Sequence, residues 1–346
     1  MRAECEIRAM PAHAMIPRGG GVDIRMELSE GGRSLTEGEL AIRMETPQNK
    51  SGTAAVRIDH SGFALFPFRV APEDAGGIYT LSITCPGSNV RRDIFVDVVD
   101  QAFYRAMEAA AGNARFDALP ARLLFIGDSL TERPPGFNYV EKVGFWLQKI
   151  HGSAVTVKNA GVAGDFITRV WKRLNRDADV HRPEAYDGIF IPVPTHVFFF
   201  LGHNDCKVSS ASQYAEHSVS PDAFEKEYRL TMQKVRNETA ARITVISAAS
   251  SVYEITAETA RLRRQEGMAH NFFGRPQDLE LFNSIARKVA DELMADYLDV
   301  YEPTRTHPDK KSLFQPDGVH MNNSGNRLVA LEVLRSLGAG KASAQT

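Results

Sequence analysis

Leu123-Leu124-Phe125-Ile126 runs straight into Gly127-Asp128-Ser129-Leu130. Four large apolar residues in a row, ended by glycine and aspartate, predict a buried strand with Ser129 just past its tip. Strands covered by helices on both faces read as such unbroken apolar runs, and folds of that kind bind their ligands beyond the carboxyl ends of the strands. Far downstream, Asp317 and His320 stand three residues apart. An imidazole titrates near neutral pH and can take a hydroxyl proton, while a carboxylate can hold its other ring nitrogen. The three side chains together point to a serine nucleophile.

Working outward from this stretch, further strands are expected at residues 154–158, 196–201, 242–248 and 297–300, after a first at 122–126. Amphipathic helical patterns fall between and after them, at 139–150, 166–174, 221–237, 276–295 and 323–337. Five strands joined by helical crossovers predict an α/β fold, a parallel five-stranded doubly wound sheet in a three-layer α/β/α domain.

The first hundred residues read differently. Short alternating runs at 4–10, 22–28, 39–44, 54–58, 63–70, 78–84 and 92–98 are separated by clusters such as Gly19-Gly20-Gly21 and Pro86-Gly87-Ser88. That spacing predicts an antiparallel all-β sandwich of immunoglobulin-like kind. Residues 101–112 read as a short helix. The expected layout is a sandwich over 1–100, a helical linker over 101–120, the α/β domain over 121–338 and a tail over 339–346.

Composition excludes several classes. The chain has 346 residues, 43% of them hydrophobic, and 41 basic against 43 acidic side chains for a formal charge of −2. Near-neutrality gives no electrostatic case for nucleic acid or an anionic membrane surface. The apolar run 197–201 is preceded by Pro192, Pro194 and His196, so no membrane span is expected. Met1-Arg2-Ala3-Glu4-Cys5 lacks a signal-peptide core, which reads as cytoplasmic for the sequence as given, or as periplasmic or secreted if a leader has been trimmed. Three cysteines make no disulfide framework, although Cys5 and Cys85 could pair in an oxidising compartment. There is no His-Glu-x-x-His, Cys-x-x-Cys or phosphate-binding loop, so no metal or cofactor is expected.

Four short blocks carry the chemistry: Gly127-Asp128-Ser129-Leu130, Asn159-Ala160-Gly161-Val162-Ala163-Gly164-Asp165, Gly202-His203-Asn204-Asp205, and Asp317-Gly318-Val319-His320. In this order they resemble the SGNH, or GDSL, hydrolase superfamily, over residues 121–337. The resemblance implies a flavodoxin-like fold and a catalytic triad of Ser129, Asp317 and His320. It also implies an oxyanion hole built from the backbone N–H of Ser129, that of a block-two glycine and the side-chain amide of Asn204. Gly164 is preferred to Gly161 because it directly precedes the helix expected from Asp165, and helix N-termini favour anions. Asp128, Gly202 and His203 are expected to support the loops, as is Asp205. Thr131 stands where a Gly-x-Ser-x-Gly elbow would place its second glycine, which argues against the α/β-hydrolase alternative.

Each of these residues has a plainer reading. Ser129 could cap a helix, Asp317 could serve only the turn at Gly318, and Asn204 could merely cap the chain leaving its strand. Arg169, Lys172, Arg173 and Arg176 share a helical face, either as an anion-binding surface or as the solvated side of an amphipathic helix. Cys206 reads as a small buried hydrophobe. The long connection 250–276 is expected either to shape a pocket or to pack as a surface helix and turn.

Block three and the Val-Ala-Gly of block two look most like carbohydrate acetylesterases such as rhamnogalacturonan acetylesterase. The expected function is a metal-independent serine ester hydrolase acting on a small-molecule or glycan ester, with removal of acetyl groups from a carbohydrate as the preferred case. The alternatives are an O-acetyltransferase on glycans, a lipase- or thioesterase-type hydrolase of the same fold, and a non-catalytic glycan-binding protein. Sequence leaves the oligomeric state open.

Overall fold

The computed structural model describes residues 5–339. Residues 1–4 and most of the expected tail, 340–346, lie outside the described residues. The chain forms two compact units. One runs up to Gly112 and includes Pro135–Phe137, and the other comprises Asn113–Pro134 and the chain from Asn138 onward.

The first unit is rich in β-structure: β1 (Cys5–Met10), β2 (His13–Pro17), β3 (Gly21–Glu30), β4 (Arg33–Ser34), β5 (Glu39–Glu45), β6 (Ser51–Arg57), β7 (Phe63–Arg69), β8 (Gly77–Thr84) and β9 (Arg91–Val99), followed by α1 (Gln101–Asn113). One sheet joins β1, β3 and β4, with β7 also on β3, and the other has the order β2-β9-β8-β5-β6. Ile24 and Met26 of the first sheet and Leu81, Ile83, Ile94 and Val96 of the second are buried, and the Phe68 and Tyr79 rings meet edge to face at 5.5 Å. The seven expected strands are present, but the sandwich is not wholly antiparallel. The unforeseen β2 pairs β9 in parallel. Its residues His13 to Ile16 are all buried, so the strand has no alternation to betray it.

The second unit begins with β10 (Ala121–Gly127), α2 (Tyr139–His151), β11 (Val155–Gly161), α3 (Ile167–Leu174), β12 (His196–Phe200) and β13 (Val208–Ser209). It continues with α4 (Pro221–Thr239), β14 (Arg242–Ile246), α5 (Tyr253–Gln265), β15 (Asn271–Phe272), α6 (Pro276–Glu292), β16 (Asp296–Leu298), α7 (Tyr301–Arg305) and α8 (Asn323–Gly338). A parallel five-stranded sheet has the order β11-β10-β12-β14-β16. This is the flavodoxin-like order, in which the chain reverses direction across the sheet between β10 and β12, where a crevice opens beyond the strand ends.

Both faces of the sheet are covered, which is why β12 reads His-Val-Phe-Phe-Phe with every residue buried. On one face Leu124, Ile126, Val197, Phe199 and Val245 pack with Ile167 and Val170 of α3, Tyr228 of α4 and Phe282 of α6. On the other, Phe125 stacks on Phe198 at 4.6 Å and both Phe125 and Phe200 take the edge of Tyr139 from α2. Truncating one such ring to alanine typically costs ~3–5 kcal/mol. Register then sets the site: Gly127 lies level with Gly161 on one side and Phe200 on the other, so the loops after β10, β11 and β12 leave the sheet side by side.

Candidate active site

Ser129 follows β10 at the start of a tight turn. Asp128 is buried, and its Oδ1 accepts the Leu130 N–H at 2.9 Å while its carbonyl accepts the N–H groups of Thr131 and Glu132. Ser129 Oγ sits 3.0 Å from His320 Nε2, a residue 191 positions away. His320 Nδ1 lies 2.7 Å from Asp317 Oδ2, and Asp317 Oδ1 accepts the backbone N–H groups of Val319 and His320, each at 2.9 Å. Burial alone would raise the Asp317 pKa, but these hydrogen bonds from His320 and Val319 outweigh it and hold the carboxyl at about 2. An ionised Asp317 accepts from Nδ1–H, which leaves the Nε2 lone pair for the serine hydroxyl. Asp317 therefore serves the turn and the histidine together, and Gly318 completes the turn with φ +73°.

The loop that carries the pair is itself held. Gln315 N–H donates to His320 O at 2.7 Å, and Val252 N–H donates to Gly318 O at 2.8 Å. Asn322 caps α8 through Ser324 N–H and donates to the carbonyls of Ser312 and Phe314. Sequence reading missed Asn322, although an asparagine before Asn323-Ser324-Gly325 is a helix-start signal.

Block two ends in a turn, with Asp165 N–H donating to Val162 O at 3.0 Å. Here the expectation needs correction: α3 begins at Ile167 with Phe166 as its cap residue, so Gly164 lies in the turn ahead of the helix. Gly164 has φ +78°, a conformation that favours glycine. The two neighbouring groups are engaged: the Ala163 N–H donates to Glu132 Oε2, and Gly164 O accepts from Arg169 Nη1 at 3.1 Å. Glu132 in turn pairs with Arg182 at 2.5 Å. By contrast the Gly161 N–H is spent on Asn159 Oδ1 at 2.9 Å.

In block three Gly202, at φ +130°, opens a turn closed by Cys206 N–H on its carbonyl at 2.9 Å. Asn204 is buried, donating from Nδ2 to Asp128 Oδ2 at 3.1 Å and accepting at Oδ1 from Lys207 Nζ at 3.2 Å. Burial pushes Asp128 up to about 6, against the hydrogen bonds from Leu130 and Asn204. His203 is buried too, and desolvation pushes its pKa down to about 4. Asp205, fully buried, is pushed up to about 7, while its Oδ1 accepts the Ile167 N–H at 2.8 Å and so caps α3 from another loop. Cys206 is buried.

These residues border one cavity of about 480 Å³. Ser129, Gly164, His203, Asn204, Asp317 and His320 line it, with Leu130, Ala163 and Val319 as apolar wall. Asp128 and Gly202 are not among its lining residues. Lys207 completes the wall with Thr256 and Thr259 of α5 and with His270, Asn271 and Phe273, so the 250–276 connection is both a helix with a short strand and a side of the pocket. β15 is held there by pairing with β13.

The basic face expected on α3 does not exist as such. Arg173 points inward and forms a fully buried pair with Asp165, its Nη2 lying 3.1 Å from Asp165 Oδ1. Its Nε donates to Arg182 O at 3.0 Å. Arg176 lies beyond the helix with φ +58°. Helical spacing could not reveal that a buried aspartate two residues ahead of α3 needs a cation. Cys5, Cys85 and Cys206 are free thiols in this structure. Among the described residues no group of three or more His, Cys, Asp or Glu is placed to hold a metal ion, and no helix is long and apolar enough to cross a membrane.

Residues 125–328 match the model of a family described as GDSL-like lipase/acylhydrolase. Among solved structures the chain is similar to a lipase/acylhydrolase from Enterococcus faecalis, at 19% identity and TM-score 0.47 over 63% of this chain and 95% of that one. A protein of Parabacteroides merdae described as GDSL-like is similar at 15% identity and TM-score 0.47, over 63% and 96%. Escherichia coli alpha-2-macroglobulin matches at 15% identity and TM-score 0.25, over 29% of this chain and 6% of that one. No curated protein matches the chain.

Proposed function

The chain belongs to the GDSL-like lipase/acylhydrolase family, a family of serine ester hydrolases, and from that premise we propose that Ser129, His320 and Asp317 form its catalytic triad. The observation that carries this reading is the continuous relay from Ser129 Oγ through the His320 ring to Asp317, at 3.0 and 2.7 Å. Ser129 Oγ attacks the ester carbonyl carbon as His320 Nε2 takes its proton. The tetrahedral oxyanion then accepts hydrogen bonds from the backbone N–H of Ser129 and Gly164 and from Asn204 Nδ2. His320 returns the proton to the departing alcohol, leaving an acyl-Ser129 ester. Water, deprotonated by the same nitrogen, attacks that ester and releases the acid.

The proposed substrate is an acetylated carbohydrate. An apolar wall of Leu130, Ala163 and Val319 beside Ser129 suits a short acyl group, and Thr256, Thr259, His270 and Asn271 offer polar partners to a hydroxylated alcohol. Transfer to a sugar hydroxyl shares the first half-reaction, so acceptor glycans belong in the assay. The same reading takes residues 1–100 as an immunoglobulin-like module joined through 101–120 to a hydrolase domain over 121–338.

The test is hydrolysis of p-nitrophenyl esters from acetate to octanoate, wild type beside Ser129→Ala. Activity on acetate that falls steeply by octanoate and vanishes in the variant is expected. Hydrolysis unchanged by Ser129→Ala would overturn the triad, and a preference for octanoate would overturn the acetyl assignment.

A further inference from the structure

Lys207 is the one cationic side chain among the residues that line the cavity apart from the histidines, and nothing in the reaction above uses it. Its backbone is fixed: Lys207 O accepts the Ser218 N–H at 2.8 Å, and the next two residues pair with Asn271 and Phe272. Its ammonium lies 5.3 Å from the centroid of the Phe273 ring and 3.2 Å from Asn204 Oδ1. An ammonium has three donors in compact space, so it can hold that carbonyl and still face the pocket.

The Asn204 amide is thus gripped at both ends, with Oδ1 on Lys207 and one N–H on Asp128 Oδ2. Two consequences follow. The amide cannot flip, so its second N–H keeps one direction. And a cation on the oxygen draws electron density from the nitrogen, which strengthens the remaining donor.

Resting on the esterase reading above, we propose that Lys207 is a positioning residue for this reaction, holding and polarising the Asn204 amide so that Nδ2 donates to the oxyanion. A lysine acting through Asn204 affects the rate only while Asn204 is there.

A double-mutant cycle tests this with p-nitrophenyl acetate, measuring kcat and KM for Lys207→Met, Asn204→Ala, the pair together, and Lys207→Arg. Lys207→Met is expected to lower kcat about tenfold with KM nearly unchanged, and Lys207→Arg to recover most of the loss. In the Asn204→Ala background, Lys207→Met is expected to change kcat less than about twofold. Wild-type kcat in Lys207→Met, or a full-sized loss in both backgrounds, would overturn the proposal. Lys207→Gln, read through the same cycle, replaces Lys207→Met if thermal melting shows that the latter does not fold. Wild-type turnover that depends on Ser129 is the precondition. Its absence would overturn the esterase reading, whereas turnover with an additive cycle would overturn the role of Lys207 alone.

Discussion

Asn204 Nδ2 donates to Asp128 Oδ2 at 3.1 Å, tying the residue before Ser129 to a loop from the neighbouring strand. The candidate nucleophile and the candidate oxyanion donor are therefore one mechanical unit. Asn204→Ala is expected to lower kcat by about 10²–10³-fold with little change in KM. Steady-state kinetics on an acetyl ester check this, and a loss confined to KM would contradict it.

Asp317→Asn keeps the shape but removes the charge that sets the His320 tautomer. A fall in kcat of about 10²–10⁴-fold is expected, with the fold retained by circular dichroism. Because the folded carboxyl is held at about 2, below its unfolded value, its contribution to stability is present above about pH 4 and is lost as pH falls through 2. Activity lost between pH 8 and 5 therefore reports another group. A wild-type rate in Asp317→Asn would remove it from the triad.

Asp205 has the opposite sign. Its folded pKa of about 7 lies above the unfolded value, so its favourable contribution is complete below about pH 4 and disappears as pH rises through 7. Asp205→Asn keeps an oxygen for the Ile167 N–H and removes the titration. Urea midpoints at pH 5 and pH 8 should differ less in the variant than in the wild type, and equal differences would refute the assignment.

Arg173→Met leaves Asp165 buried without its partner, at an expected cost of ~3–5 kcal/mol in urea denaturation. Arg173→Met with Asp165→Leu should recover much of that loss. A single variant within about 1 kcal/mol of the wild type would show that water reaches Asp165.

Gly164→Ala meets open space, its nearest neighbour being Arg169 Nη1 at 3.9 Å, so the penalty comes from the backbone angle. About 1–2 kcal/mol of stability should go, together with activity as the turn relaxes and the N–H turns away. Stability lost with full activity retained would favour a different block-two donor.

Much of this architecture was legible in the chain. Leu123 to Ile126 and Val197 to Phe200 are buried on both faces, which leaves no choice but an unbroken apolar run, and Pro221 and Pro276 mark the starts of their helices. The meeting of Ser129, Asp317 and His320 could be anticipated because a hydroxyl, a carboxylate and an imidazole are the residue types that nucleophilic catalysis calls for. β2 was not, because its burial erases alternation. Neither was the inward turn of Arg173, since helical spacing shows which residues share a face but not that a buried aspartate waits beside it. Lys207 stood next to a recognised block, yet only its distance from Asn204 gives it a part.

The 191 positions between Ser129 and His320 also order events in time. Synthesis proceeds from the N-terminus at about 5–20 residues per second, so Ser129 leaves the ribosome on the order of ten to forty seconds before the candidate base His320 exists. On the proposed triad, the nascent protein lacks its general base until α8 is about to be made, and a chain cut short anywhere in α6 or α7 would carry the candidate nucleophile without it.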